Sequence, residues 1–300
     1  MQKGDRLGIV PTSFDFEASD DVFVESYNSD TGVVELSSPL QFYHWGAPES
    51  TADKYEGLDV RGEVLVLTRN IRIYGEDVEA WGAQFVTSDT VEIYGADITV
   101  RQGQTILDSV EFYNCSQIDT FKAALRFEGA VGKFSKVTNS AIHNGLSWGV
   151  NIKSSANIFM QDNIIFSFKP IGLSVSAASN ITLDGNMVAN IYERIIDALG
   201  STADARAGYA LCSYWYNEGE TCTDLHVTNN IAAGVSYAGF ITYGHDCGDY
   251  SGDNFKDNIA HSVAGFKGGM GAYIFPDPTK LYHEEKCFEG SRFTAYKCAL

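Results

Sequence analysis

Three consecutive aromatic residues, Tyr214, Trp215 and Tyr216, lie between Cys212 and Cys222 together with the carboxylates Glu218 and Glu220. A second segment, from Tyr243 to Asp253, carries His245, Asp246, Asp249 and Asp253 among glycines. Aromatic rings pack on the apolar face of a sugar while carboxylates accept its hydroxyl hydrogen bonds, so Tyr214, Trp215, Tyr216, Tyr243 and Asp249 are the expected ligand contacts. His245 beside Asp246 has the composition of an oriented acid–base couple, which makes these two the catalytic candidates for glycan cleavage. Asp246, Asp249 and Asp253 offer hard oxygen ligands, and Ca2+ is the cofactor they would take, although their spacing is not that of an EF-hand. Each reading has a plainer counterpart. The rings can pack beneath their own loop, the histidine can be structural, and aspartate with glycine shapes exposed turns.

The six cysteines, Cys115, Cys212, Cys222, Cys247, Cys287 and Cys298, form no CxxC pair, which speaks against zinc ribbons and thioredoxin chemistry. Five lie in the last third of the chain, in irregular segments, as expected of disulfides in an oxidising compartment. Cys212 and Cys222 flank one inserted loop and are the expected pair; Cys115, directly after a strand, reads as a free buried thiol. Asn114-Cys115-Ser116 and Asn180-Ile181-Thr182 match the glycosylation sequon. A net charge of -18 would repel nucleic acid and anionic membrane surfaces. It suits a surface protein in a calcium-containing medium, or serves solubility alone. No run approaches the ~20 apolar residues of a membrane span, so no direct insertion of this segment is expected. The first residues lack the regions of a secretory signal, so an extracellular chain would be a fragment or a mature product.

The elements that must position these residues repeat. An apolar-x-apolar phrase followed by a turn residue has its second apolar member at Ile73, Ile93, Phe112, Val137, Met160, Leu183, Val227 and Phe255. The successive gaps are 20, 19, 25, 23, 23, 44 and 28 residues, a coil of roughly 20–25 residues with insertions. A second phrase, Gly-apolar-x-apolar or a variant, ends at Phe85, Phe127, Ile152, Val175, Leu211, Thr242 and Ile274, and its Leu211 copy fills the longest gap. Both alternate with period 2, the mark of short strands with one buried face. The period predicts an all-β chain forming a right-handed parallel β-helix, a solenoid whose coils stack at strand spacing. Asn163, Asn186, Asn230 and Asn258 follow the first phrase and are expected to stack as a ladder and to tolerate the left-handed geometry of a corner.

Residues 1–60 lack the repeat and read as a β-rich segment that caps the first coil; 61–275 form the helix, and 276–300 a cysteine-containing tail. Arg61, Glu63 and Arg69 would tie the cap to the first coil. The two longest insertions, 212–222 and 243–254, fall at one corner of consecutive coils and must lie side by side, where repeat proteins often bind ligands.

Several longer stretches carry a resemblance. They are Gly4-Asp5-Arg6, Ser38-Pro39-Leu40 with Tyr43-His44-Trp45-Gly46, Arg61-Gly62-Glu63-Val64 with Leu67-Thr68-Arg69-Asn70, Val110 to Cys115, Pro170-Ile171-Gly172 and Asn230 to Gly234. The chain resembles the extracellular β-helix region of the fibrocystin and fibrocystin-L family and, more distantly, the cell-migration-inducing and transmembrane hyaluronidases. The family pattern has alanine where Gly62 stands. The resemblance implies a segment of a large cell-surface or secreted glycoprotein, often ciliary, following a G8-type domain. Its role would be structural or adhesive, with a glycan or an extracellular protein and the other domains of the same chain as partners. A polysaccharide lyase or hydrolase of the hyaluronan type is the alternative; no catalytic motif carries over residue by residue.

Overall fold

The computed structural model describes residues 1–46, 57–76, 79–118, 120–192, 206–212, 222–242, 254–265, 268–274 and 288–299. Among these there is no α-helix, and hence no helix long and apolar enough to cross a membrane.

Alternating apolar residues fold the chain into three parallel sheets that share one interior. Among the described residues sheet I has eight strands, from Ile71–Tyr74 and Val110–Tyr113 to Thr294–Cys298; sheets II and III have seven each. Sheet II runs from Phe85–Thr87 to Met270–Ile274, and sheet III from Ile106–Asp108 to Gly290–Ser291. The chain visits I, II and III in turn, so each strand pairs with the equivalent strand one coil away. One alternate set of side chains, including Phe112, Phe127, Ile152, Met160, Leu183, Tyr209 and Phe240, fills the interior and is fully buried. Tyr209 stacks on Phe240 at 4.6 Å and donates its hydroxyl to Asn186 O at 2.7 Å, which satisfies the one polar group it brings inside.

The second phrase marks sheet II in register: Phe127, Ile152, Val175, Leu211, Thr242 and Ile274 pair in sequence. Its first copy is displaced by two residues, since Phe127 pairs with Thr87 and Phe85 with Leu125. The first phrase merges three elements. Val137, Met160, Leu183, Val227 and Phe255 do align in sheet III. Ile73 and Phe112 belong to sheet I instead, and Ile93 to an antiparallel hairpin, Thr90–Tyr94 with Asp97–Arg101, while Leu107 holds the sheet III position. Period-2 alternation is shared by every half-buried strand, so the pattern alone does not separate these elements.

The asparagine ladder forms between sheets III and I. Asn163 Nδ2 donates to Asn186 Oδ1 at 2.9 Å, Asn186 to Asn230 at 3.1 Å and Asn230 to Asn258 at 3.2 Å, and all four residues are buried. The left-handed corner lies one residue earlier than expected. Asp162, Gly185, Asn229 and Asp257 take φ of 53°, 64°, 58° and 55°, which turns the next side chain inward to be the rung.

Val34–Leu36, Asp20–Tyr27, Arg6–Ile9 and Val64–Val66 form an antiparallel sheet in that order, and it lies against the flank of the solenoid. Val10, Leu65 and Leu67 pack on the outer face of sheet I at Phe166, Met187, Ala189 and Ala233. This face is apolar over several coils, so docking there removes it from water. Gly8 sits where a Cβ would meet the Phe166 ring at 2.9 Å. Arg61, Glu63 and Arg69 each reach a different partner: Arg61 pairs with Asp59, Glu63 faces His261, and the Arg69 N–H donates to Glu111 Oε2 at 2.7 Å. The tail likewise extends the solenoid, with Gly290–Ser291 pairing to Phe255–Lys256 and Thr294–Cys298 to Ile259–Ala264.

Candidate functional site

On sheet II the alternation that sends Leu125, Phe127, Val150, Ile152, Leu173 and Val175 inward leaves a polar outer face. Arg126, Asn151 and Ser174 pair across three consecutive coils in one column, and Glu128, Lys153 and Ser176 in the next. One wall rises beside them from Thr120, Phe121 and Lys122. There Thr120 Oγ1 donates to Gln117 O at 3.0 Å and accepts the Lys122 N–H at 3.1 Å. The exposed Phe121 ring meets the buried Trp148 edge-on at 5.5 Å, and Asn151 Nδ2 donates to Phe121 O at 3.4 Å, so floor and wall are joined. The groove between them encloses about 270 Å³.

Cations dominate this groove. Arg126 donates through Nε to Glu128 Oε1 at 3.0 Å and through Nη1 to Gln84 Oε1 at 2.9 Å, which holds the guanidinium flat on the sheet. Lys122 lies over the Trp81 ring at 4.9 Å. The Lys153 ammonium has no ion pair or hydrogen bond among the described residues and lines the groove. Three cations therefore face one carboxylate on a chain whose net charge is -18. An aromatic wall, side-chain amide and hydroxyl groups, and surplus positive charge together suit a carbohydrate bearing acidic groups.

The residues expected from sequence to bind or react, Tyr214, Trp215, Tyr216, Tyr243, His245, Asp246, Asp249 and Asp253, lie outside the described residues. The points where their two segments leave the solenoid are described: Leu211 and Thr242 pair on adjacent coils of sheet II. Cys212 and Cys222 are disulfide-bonded, and Cys115 is a buried free thiol that burial pushes up to about 12. Among the described residues no group of three histidine, cysteine or acidic side chains is arranged to hold a metal. Of the two sequons, Asn114 spends its amide on Gly75 O at 2.8 Å, with φ at 54°, whereas Asn180 is exposed and donates to Asn157 Oδ1 at 2.7 Å.

Arg126, Lys153 and the aromatic wall escaped the sequence reading, although a signal for them was present. The x of the glycine phrase reads Arg126, Asn151, Ser174 and then Ala210, Ile241, Tyr273, so the outward column is polar over three coils and apolar beyond. The loop that supplies Phe121 carries no such mark.

A family model described as "Right handed beta helix region" matches residues 78–256. Among curated proteins, the chain is 24% identical to human (Homo sapiens) fibrocystin-L over 278 residues, 87% of this chain and 6% of that protein. It is 26% identical to mouse (Mus musculus) fibrocystin over 264 residues, 88% of this chain and 6% of the relative. Cell surface hyaluronidase of Danio rerio is 21% identical over 321 residues, covering 89% of this chain and 22% of that protein. The chain thus spans a small part of the length of the relatives it matches.

Proposed function

The chain belongs to the right-handed β-helix family, and from that premise we propose that it is a fibrocystin-like binding module of a large extracellular or cell-surface protein, gripping acidic glycans along sheet II. The observation that carries this reading is the groove in which Arg126 and Lys153 sit on a rigid floor beside Phe121 and Trp148. Strand backbones hold the floor at fixed spacing, so little ordering is required when an extended polymer lies across the coils. A cationic groove on an otherwise acidic surface also selects against neutral chains and steers anionic ones. Leu211 and Thr242, the points from which the segments 212–222 and 243–254 depart, pair on adjacent coils of the same sheet. The name of the hyaluronidase relative is consistent with an acidic polysaccharide as ligand. Asn180, exposed on sheet III, is the sequon this reading would glycosylate.

The composition of the groove disfavours hydrolysis there. Glycoside hydrolysis uses two carboxyl groups facing one bond, and Glu128 is the one carboxylate among the residues lining this groove, already paired with Arg126. Titration with uronate-containing, sulfated and neutral oligosaccharides tests the proposal. Acidic oligosaccharides should bind, binding should weaken with salt, and Lys153→Gln should lower affinity about tenfold. Equal binding of neutral and acidic chains, or unchanged affinity in the variant, would count against it. Depolymerisation of a defined polysaccharide that His245→Ala abolishes would replace it with the enzymatic alternative.

A further inference from the structure

The hairpin Thr90–Tyr94 with Asp97–Arg101 stands on the first coil as a two-stranded sheet with an open apolar face and two open edges. We propose that it is a self-association site, at which two copies of this chain pair through their Asp97–Arg101 strands across a two-fold axis at Thr99. Both strands are exposed along their length apart from the half-buried Glu92. Val91 pairs with Val100 and Ile93 with Ile98, so these four share one face, and each is between 60% and 68% exposed. Among the described residues no third strand joins this sheet and no main-chain hydrogen bond reaches its outer edges. A lone two-stranded sheet is marginal in water, whereas one of more strands with a shared apolar face is not. The base is nevertheless fixed. Asp89 accepts the N–H groups of Gly103, Val131 and Gly132 at 2.8, 3.1 and 2.9 Å, which presents the edges in a set position.

The direction of the main-chain groups selects the register. The turn between the strands has two residues, Gly95 and Ala96, with Gly95 at a φ of 64°, so Tyr94 and Asp97 close the ladder as a hydrogen-bonded pair. By alternation Thr99 and Arg101 also turn their main-chain groups toward the first strand, and Ile98 and Val100 turn theirs outward. An antiparallel copy centred on Thr99 therefore lets Ile98 exchange N–H···O bonds in both directions with the partner's Val100, and Val100 with the partner's Ile98.

The side chains fit the same register. Asp97 falls opposite the partner's Arg101 and Arg101 opposite the partner's Asp97, at non-hydrogen-bonded positions where Cα atoms approach to about 4.5 Å. Within its own chain Arg101 donates through Nε to Glu92 Oε1 at 2.9 Å, so one guanidinium bridges two carboxylates. On the other face Ile98 meets the partner's Val100, and the apolar surface becomes continuous over four strands. The Thr90–Tyr94 edge behaves differently. There Val91 and Ile93 turn their main-chain groups outward, and the equivalent operation sets Glu92 against the partner's Glu92, which is repulsive. Opposite charges at one edge and like charges at the other commit the site to a second copy joined through Asp97–Arg101, in a contact that closes on itself.

Sedimentation of the full chain from about 1 to about 300 μM tests this. A strand of five residues buries less than the ~1,600 Å² of a standard interface, so a weak, concentration-dependent dimer is expected. Asp97→Arg and Arg101→Asp each set like charges opposite one another and should weaken the dimer at least about tenfold. Mixed one to one, the two folded variants recover both opposite-charge pairs, and the dimer should return. Thr99→Cys should give a disulfide-linked dimer on mild oxidation, because the two Thr99 Cα atoms meet at the axis within disulfide reach. Glu92→Cys, three strand spacings from its mate, should not. A chain that stays monomeric throughout, a dimer that either charge variant leaves unchanged, a mixture that stays monomeric, or linkage at position 92 in place of 99 overturns the proposal.

Discussion

Asn186 joins three coils with one side chain. Its Nδ2 donates to Met160 O at 2.9 Å and to Asn230 Oδ1, while its Oδ1 accepts both the main-chain and the side-chain N–H of Asn163. Replacement by alanine strands buried donors and acceptors on both sides, so Asn186→Ala should cost about 2–4 kcal/mol in chemical denaturation. Asn180→Ala, at an exposed rung of sheet III, loses one exposed hydrogen bond and places alanine at a φ of 52°, so it should cost only about 1 kcal/mol. Equal effects at the two positions would mean that the buried ladder adds nothing. The identity of the ladder was legible because asparagine recurs after the same phrase. Its conformation was not, because the left-handed φ is carried by the preceding residue, whose type varies among aspartate, glycine and asparagine. The groove cations were visible only as polar letters in an alternating pattern. Nothing local says that Phe121 and Trp148 come to stand beside them.

The hairpin Thr90–Tyr94 with Asp97–Arg101 interrupts the first coil, and Asp89 anchors its base. Burial tends to raise the Asp89 carboxyl, yet the N–H groups of Gly103, Val131 and Gly132, with Lys133 nearby, outweigh it and hold the group below its ordinary 3.8. A depressed carboxylate contributes stability that is complete above that ordinary value and is lost as the pH falls through the folded value. Acidification from about pH 5 to about pH 2.5 should therefore release the Gly103, Val131 and Gly132 amides to exchange. Asp89→Asn should remove most of that pH dependence, and an unaltered profile in the variant would show that the anchor lies elsewhere. At this scale Ile93 misled the reading of the repeat, since a hairpin strand alternates with the same period as a solenoid strand. The spacing errors around Ile73, Phe85 and Ile93 all lie beside this insertion. Farther along, where coils are regular, the sheet II register was legible from sequence.

The whole molecule is a stack in which each coil touches its neighbours, flanked by one lateral sheet. Stability in such a stack is approximately a sum of coil and interface contributions, so the ends should open before the middle. Amides of Ile171–Ser176 and Met187–Ile191 should exchange most slowly, and those of Ile71–Tyr74 and Thr294–Cys298 first. Uniform protection would instead indicate a single cooperative unit. The N-terminal sheet bears on this gradient because it spans coils from Asn144 to Lys297, bracing several at once. By itself the sequence determined the coil period, the all-β solenoid, the inward apolar set and the asparagine rungs, since each is a short-range pattern repeated until chance is excluded. Only the tertiary structure decided that the antiparallel sheet of Arg6–Ile9, Asp20–Tyr27, Val34–Leu36 and Val64–Val66 lies on the flank, that the coil stack continues to Cys298, and that Arg126, Lys153, Phe121 and Trp148 share a groove. These outcomes depend on which distant surfaces lose the most contact with water and on how insertions of unequal length bring strands into register. Such quantities are properties of the assembled coils and of no single segment.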